Sequence, residues 1–145
     1  MEDQPICQHE FPVLGSAYFL GGRASTSVKR ALAECGVEND VIQRVSVACY
    51  EAEMNVVLHA QSGVITVDIY RDRVVLNVFD QGPGIEHIHL AMTPGWSSAS
   101  DEARALGFGA GMGLPNINDQ SDEMDIQSPR GEGVRLRLTF LRGEA

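Results

Sequence analysis

Glu51, Asn55 and His59 recur at intervals of four in the stretch EAEMNVVLHA, residues 51–60. Each step of four helical residues rotates the chain by about 40°, so all three line one side of a helix. A carboxylate and an amide on one side of a helix are polar groups that must find partners. Both groups lie beside an apolar stripe of Val41, Val45, Ala48, Ala52 and Val56. Unpartnered burial there would cost about 2 kcal/mol or more. A hydrogen-bonded helix edge and a ligand site are equally compatible with this pattern. Glu53 points about 160° away from Asn55 and reads as solvated.

Two further stretches could do chemistry. In RVVLNVFD, residues 73–80, the side chains of Val74, Leu76, Val78 and Asp80 share one strand face by period two. Asp80 therefore ends an inward-facing row directly before QGPGI. It either caps a turn, as Asp before Gly-Pro often does, or accepts a hydrogen bond from an exocyclic amine. Gly82 and Gly84 would then let the backbone approach a flat ring. In GFGAGMGL, residues 107–114, glycine occupies positions 107, 109, 111 and 113. Such a run marks backbone that bends sharply or lies against a ligand. It is neither common phosphate loop: no GxxxxGK precedes a Ser or Thr, and the third glycine of GxGxxG would fall on Met112.

The elements that must position these residues follow from the periodicities. Residues 6–13 form an opening strand. Residues 23–36 form a helix with Ser or Thr near its start and Gly36 as its stop, and 38–60 form a longer one with Asn39 or Asp40 as N-cap. Residues 63–80 read as a hairpin turning at Arg71-Asp72-Arg73. Residues 82–113 form a long loop with a short helix near 86–91, and a length of about thirty residues suggests a functional lid. Another helix opens at Leu114 with Pro115 in its first turn, and 123–141 form a second hairpin turning at Pro129-Arg130-Gly131. Helices early and hairpins late imply an α+β chain. Its expected architecture is a two-layer α/β sandwich, with a mixed, mainly antiparallel sheet and helices on one face.

At 145 residues, with 43% hydrophobic and 21% charged residues, the chain reads as one domain spanning 1–145. A net charge of −9 argues against direct nucleic-acid binding, whose signature is a basic stripe. No apolar run approaches the roughly 20 residues of a membrane helix, and the N-terminus lacks the signature of a secretory signal. Cys7, Cys35 and Cys49 are odd in number and form no CxxC pair, so they read as reduced thiols of a cytoplasmic protein. His87 and His89 lack the further ligands of a metal site. Trp96 reads as a packing residue at the base of the lid, and Arg104 and the lid serines read as solvated.

EAEMNVVLHA, DQGPGI and GFGAGMGL together resemble, in order and spacing, the three sequence boxes of the Bergerat-fold ATPases. The lid PGWSSASDEARALGFGAGMGLPNI is similar, more narrowly, to that of the bacterial anti-sigma-factor serine/threonine kinases. The resemblance covers about residues 38 to 141. It implies that ATP and Mg²⁺ are the cofactors and that Glu51 is the general base. Asn55 would hold the metal, and Asp80 would receive the adenine amino group with Gly82 and Gly84 beneath the ring. Gly107, Gly109, Gly111, Met112, Gly113 and Leu114 would fold over the triphosphate. The implied partners are a small antagonist protein as substrate and a sigma factor, and a homodimer is compatible with the pattern. One departure stands out: the family often has threonine after the final glycine pair, where GEGVRL has Val134 and Arg135. A nucleotide-gated binder with little transfer, and a simple ATPase, are the alternative readings.

Overall fold

The structure is a computed structural model that describes residues 4–14, 22–59, 62–81, 113–127 and 133–143. Strand β1 (Cys7–Leu14) is followed by helices α1 (Arg23–Glu34) and α2 (Asn39–His59). Strands β2 (Ser62–Ile69) and β3 (Arg73–Asp80), helix α3 (Gly113–Gln120), and strands β4 (Glu123–Gln127) and β5 (Arg135–Leu141) complete the order. The sheet runs β1-β2-β3-β5-β4, and every described neighbour pair is antiparallel. This is the expected two-layer architecture.

Register sorts the side chains. Ile65, Val67 and Ile69 of β2 lie opposite Val78, Leu76 and Val74 of β3. These in turn lie opposite Leu136, Leu138 and Phe140 of β5, and all nine are buried. Because side chains alternate along a strand, this one apolar face commits the sheet to a helical cover. α2 provides most of it, packing on β1, β2, β3 and β5, while α1 and α3 pack against α2. Arg71 and Asp72 do lie in the first hairpin turn, which Tyr70 N–H closes by donating to Arg73 O at 2.8 Å.

α1 stops as the glycine signal predicts. Gly36 takes φ 79°, Val37 N–H donates to Leu32 O at 3.0 Å and Gly36 N–H to Ala33 O at 3.1 Å. This paired closure satisfies the last carbonyls of the helix. Asn39 is already helical in α2, and Glu38 O accepts the bond from Ile42 N–H at 2.9 Å, so the helix begins one residue before the expected caps.

Two expectations are corrected. Glu53 is buried, at 2% exposure. Gly22, in the left-handed region, precedes α1 and supplies no capping side chain. The Glu53 carboxylate fills that role from α2, accepting Gly22 N–H at 3.0 Å, Ala24 N–H at 3.2 Å and Ser25 N–H at 2.9 Å. Those donors form the positive end of a helix, where a carboxylate is favoured. Cys7 and Cys35, read as thiols, form a disulfide between β1 and the end of α1. They are 28 residues apart in sequence, and only the packing of α1 over β1 brings them together. Cys49 is free and buried, and burial pushes its thiol well above the usual range.

Two arginines tie the end of the sheet remote from Asp80. Arg142 bonds Glu38 at 2.9 Å and Tyr70 O at 2.7 Å. Arg44 bonds Asp122 at 3.1 Å and Leu141 O at 3.0 Å. Hydrogen bonding from Arg142 holds the Glu38 carboxyl below its ordinary range. The Leu141 N–H, and then Arg44, do the same for Asp122.

Two predictions follow from this packing. Glu53→Ala strands three N–H groups, two of them buried, and should cost about 2–4 kcal/mol in urea unfolding, whereas Glu53→Gln, which keeps one acceptor oxygen, should cost less. Because the folded-state values of Glu38 and Asp122 are lowered, their contribution is complete above the unfolded carboxyl value of about 4 and is lost as pH falls through the lowered values. The urea midpoint should therefore decline on acidification below about pH 4, and less steeply for Asp122→Asn.

Candidate nucleotide site

Asp80 ends the inner row of β3, directly opposite Gly63 in the register. Gly63 is a close-approach position: a Cβ there would lie 2.9 Å from both the Phe79 carbonyl oxygen and Val56 Cγ1. The missing side chain lets the last turns of α2 settle onto this end of the sheet. Asn55, adjacent to Val56, is thereby brought to the Asp80 end. Glu51 lies one turn earlier on the same side of α2, towards α3. Both are half-buried at the rim of an otherwise apolar layer. Asn55's side chain makes no hydrogen bond among the described residues, so its amide is available to a ligand.

Asp80 is held from β5. Its Oδ1 accepts Val134 N–H at 2.9 Å, and its own N–H donates to Val134 O at 3.0 Å. The backbone thus contacts the carboxylate at the point where the family pattern has threonine. The fit depends on Gly133, whose φ is 86° and where a Cβ would fall 2.2 Å from Asp80 O. Gly133 is therefore a structural requirement at the Asp80 wall, because only glycine tolerates both that φ and that approach.

The structure brings Glu51, Asn55 and Asp80 to one end of the α2–sheet layer. Gly113 opens α3, and the side chain of Leu114 is buried in the core against α2. Gly82, Gly84, Gly107, Gly109, Gly111 and Met112 lie outside the described residues, as do His87, His89, Trp96, Arg104, the lid and its short helix, and the turn at 129–131. Sequence reasoning missed two positions. Asn116 on α3 donates through Nδ2 to Glu51 Oε1 at 3.3 Å. In the sequence it reads only as part of a helix start, and its one available signal is an amide between the apolar Leu114 and Ile117. Gly133 reads there only as one of a glycine pair.

The donor set has the chemistry of a nucleotide site. It holds a carboxylate acceptor at the sheet end, an amide oxygen and a second carboxylate on the facing helix, and a glycine cradle that a side chain would fill. A hard amide oxygen suits Mg²⁺ when phosphate and water oxygens complete its shell. Among the described residues no cluster of three or more His, Cys, Asp or Glu forms a metal cage. No described helix is long and apolar enough to cross a membrane.

Comparison with known proteins agrees with this geometry. Residues 22–140 match the histidine kinase-like ATPase domain family, and the chain belongs to that family. The chain is 31% identical over 121 residues to an anti-sigma F factor of Caldanaerobacter subterraneus subsp. tengcongensis, covering 80% of this chain and 81% of that protein. It is 32% identical over 104 residues to the serine/threonine-protein kinase RsbT of Bacillus subtilis, covering 68% and 72% respectively. In fold it is similar to the crystal structure of the RsbU and RsbW domains of Rv1364c from Mycobacterium tuberculosis, with a TM-score of 0.60 and 20% identity. That match covers 94% of this chain and 33% of the other.

Gly133→Ala should be destabilising by more than about 1 kcal/mol, because alanine is strained at that φ and meets the Asp80 carbonyl. Gly143→Ala, where an added Cβ meets nothing within 4 Å, is the matched control and should leave the thermal midpoint nearly unchanged. Equal midpoints for the two variants would contradict the cradle.

Proposed function

We propose that the protein is an ATP-dependent serine/threonine kinase that phosphorylates a small antagonist protein and thereby acts as a switch controlling a sigma factor. The observation that carries this reading is the placement of Glu51 and Asn55 one turn apart on α2, at the sheet end where Asp80 closes the inner row of β3. The names of the relatives, an anti-sigma F factor and a serine/threonine kinase, support it. ATP as substrate fits a cytoplasmic protein.

When bound, ATP with Mg²⁺ supplies an activated γ-phosphoryl group whose charge the metal partly neutralises. Asp80 accepts the adenine amino group, which selects adenine over bases that present a carbonyl there. Asn55 would hold the metal through its side-chain oxygen. Glu51 takes the proton of the acceptor hydroxyl as that oxygen bonds to the γ-phosphorus. The bond to the β–γ bridging oxygen then breaks, ADP leaves with its electron pair, and Glu51 returns its proton to solvent. Phosphoryl transfer depends mainly on positioning and charge neutralisation, a task that one base and one metal ligand can carry.

The test is transfer of labelled γ-phosphate to a serine or threonine of a partner encoded beside this protein. Glu51→Gln should keep ATP·Mg²⁺ affinity and lose at least about 100-fold in transfer, the scale of general-base catalysis. Asn55→Ala should lose the Mg²⁺-dependent part of nucleotide affinity by calorimetry. Asp80→Ala should weaken ATP binding with circular dichroism unchanged. Transfer by Glu51→Gln at the wild-type rate would require another base.

A further inference from the structure

Asn116 is not one of the residues through which the family resemblance defines the site, and it is the one described side chain that hydrogen-bonds Glu51. We infer that Asn116 is a positioning residue for the Glu51 carboxylate, and that through it the helix following the glycine run sets the orientation of the base. The inference rests on the reading of Glu51 as that base.

The geometry is specific. Asn116 Nδ2 lies 3.3 Å from Glu51 Oε1, in a partly buried setting. A carboxylate only accepts, so the amide must present its NH₂ to it, and the reverse orientation would set two oxygens against each other. Among the described residues this is Glu51's one side-chain hydrogen bond, and it engages Oε1 alone, leaving Oε2 for the proton of the acceptor. Without it, the carboxylate group could turn about its terminal torsion, which is broad and roughly two-fold. A base must lie within hydrogen-bond reach of its proton in a defined direction, so a carboxylate free to rotate is a poorer base.

The donor is itself held in place. Leu114 and Ile117, at 5% and 0% exposure, anchor α3 on α2 and bracket Asn116. α3 begins at Gly113, the last glycine of the run. Asn116 lies within the first turn of that helix. The base is thus oriented from α3, not from its own helix.

Two measurements on the full chain test this. The first is turnover of γ-labelled ATP·Mg²⁺, with water and then the co-encoded partner as acceptor. Asn116→Ala and Asn116→Asp should lower kcat by about 10- to 100-fold, within the range of acid–base contributions. ATP affinity and thermal midpoint should stay near wild type. Asn116→Gln, which keeps the donor, should regain part of the loss, and Asn116→Ala should add no loss in a Glu51→Gln background. The second is the side-chain NH₂ signal of Asn116 in nucleotide-free protein by ¹H–¹⁵N spectroscopy. It should shift and exchange faster in Glu51→Ala.

Wild-type kcat in Asn116→Ala, or an Asn116 amide signal indifferent to Glu51→Ala, overturns the positioning role while leaving the kinase reading intact. A wild-type chain that binds ATP·Mg²⁺ and turns it over on neither acceptor overturns the kinase reading. The spectroscopic result then decides the contact by itself.

Discussion

Helix α2 is packed at once on the sheet, on α1 and on α3. Arg44, Glu51, Glu53 and Asn55, on the sides that meet these elements, are wholly or partly withdrawn from water, while Asn39, Asp40 and Gln43 stay exposed. A charged group withdrawn in this way needs a partner or a ligand, since an orphaned one costs a sizeable fraction of a domain's stability. Arg44 meets backbone carbonyls and Asp122 at the junction of α3 with β4 and β5. Glu53 meets the three N–H groups that open α1. Glu51 meets the amide of Asn116 on α3. Through its polar residues, α2 is bonded to α1, to α3 and to the end of β5.

This arrangement divides the molecule into two ends. At one, Arg44 and Arg142 hold carboxylates and carbonyls from the helices and strands together, and the chemistry is closed. At the other, glycine replaces side chains where backbones converge, at Gly63 under Val56 and at Gly133 beside Asp80. A site requires that second kind of end. Glu51 and Asp80 are fixed in place there by the Asn116 amide and the Val134 N–H.

The departure at Val134 and Arg135 becomes intelligible in these terms. A threonine hydroxyl is one way to give a carboxylate a donor on the adjacent strand. The Val134 N–H is another, and it is available because Gly133 turns the backbone towards Asp80. The same local result is reached with main chain instead of side chain, so the absent threonine leaves Asp80 supported.

Much of this was legible in the sequence, because period two and period 3.6 are local rules. The alternation of Val74, Leu76, Val78 and Asp80 placed the aspartate on the inner face, and spacing by four placed Glu51 and Asn55 together. Glycine at 36 ended α1 where a left-handed residue was needed. What tertiary structure decided was every pairing between elements. Helical geometry sent Glu53 away from Asn55 and so suggested solvent, but α1 occupies that side, and its uncapped N-terminus makes the carboxylate's burial favourable. Cys7 and Cys35, or Glu51 and Asn116, carry no mark of each other in the chain. Their distance in space is set by how whole helices and strands pack, a property of many residues at once.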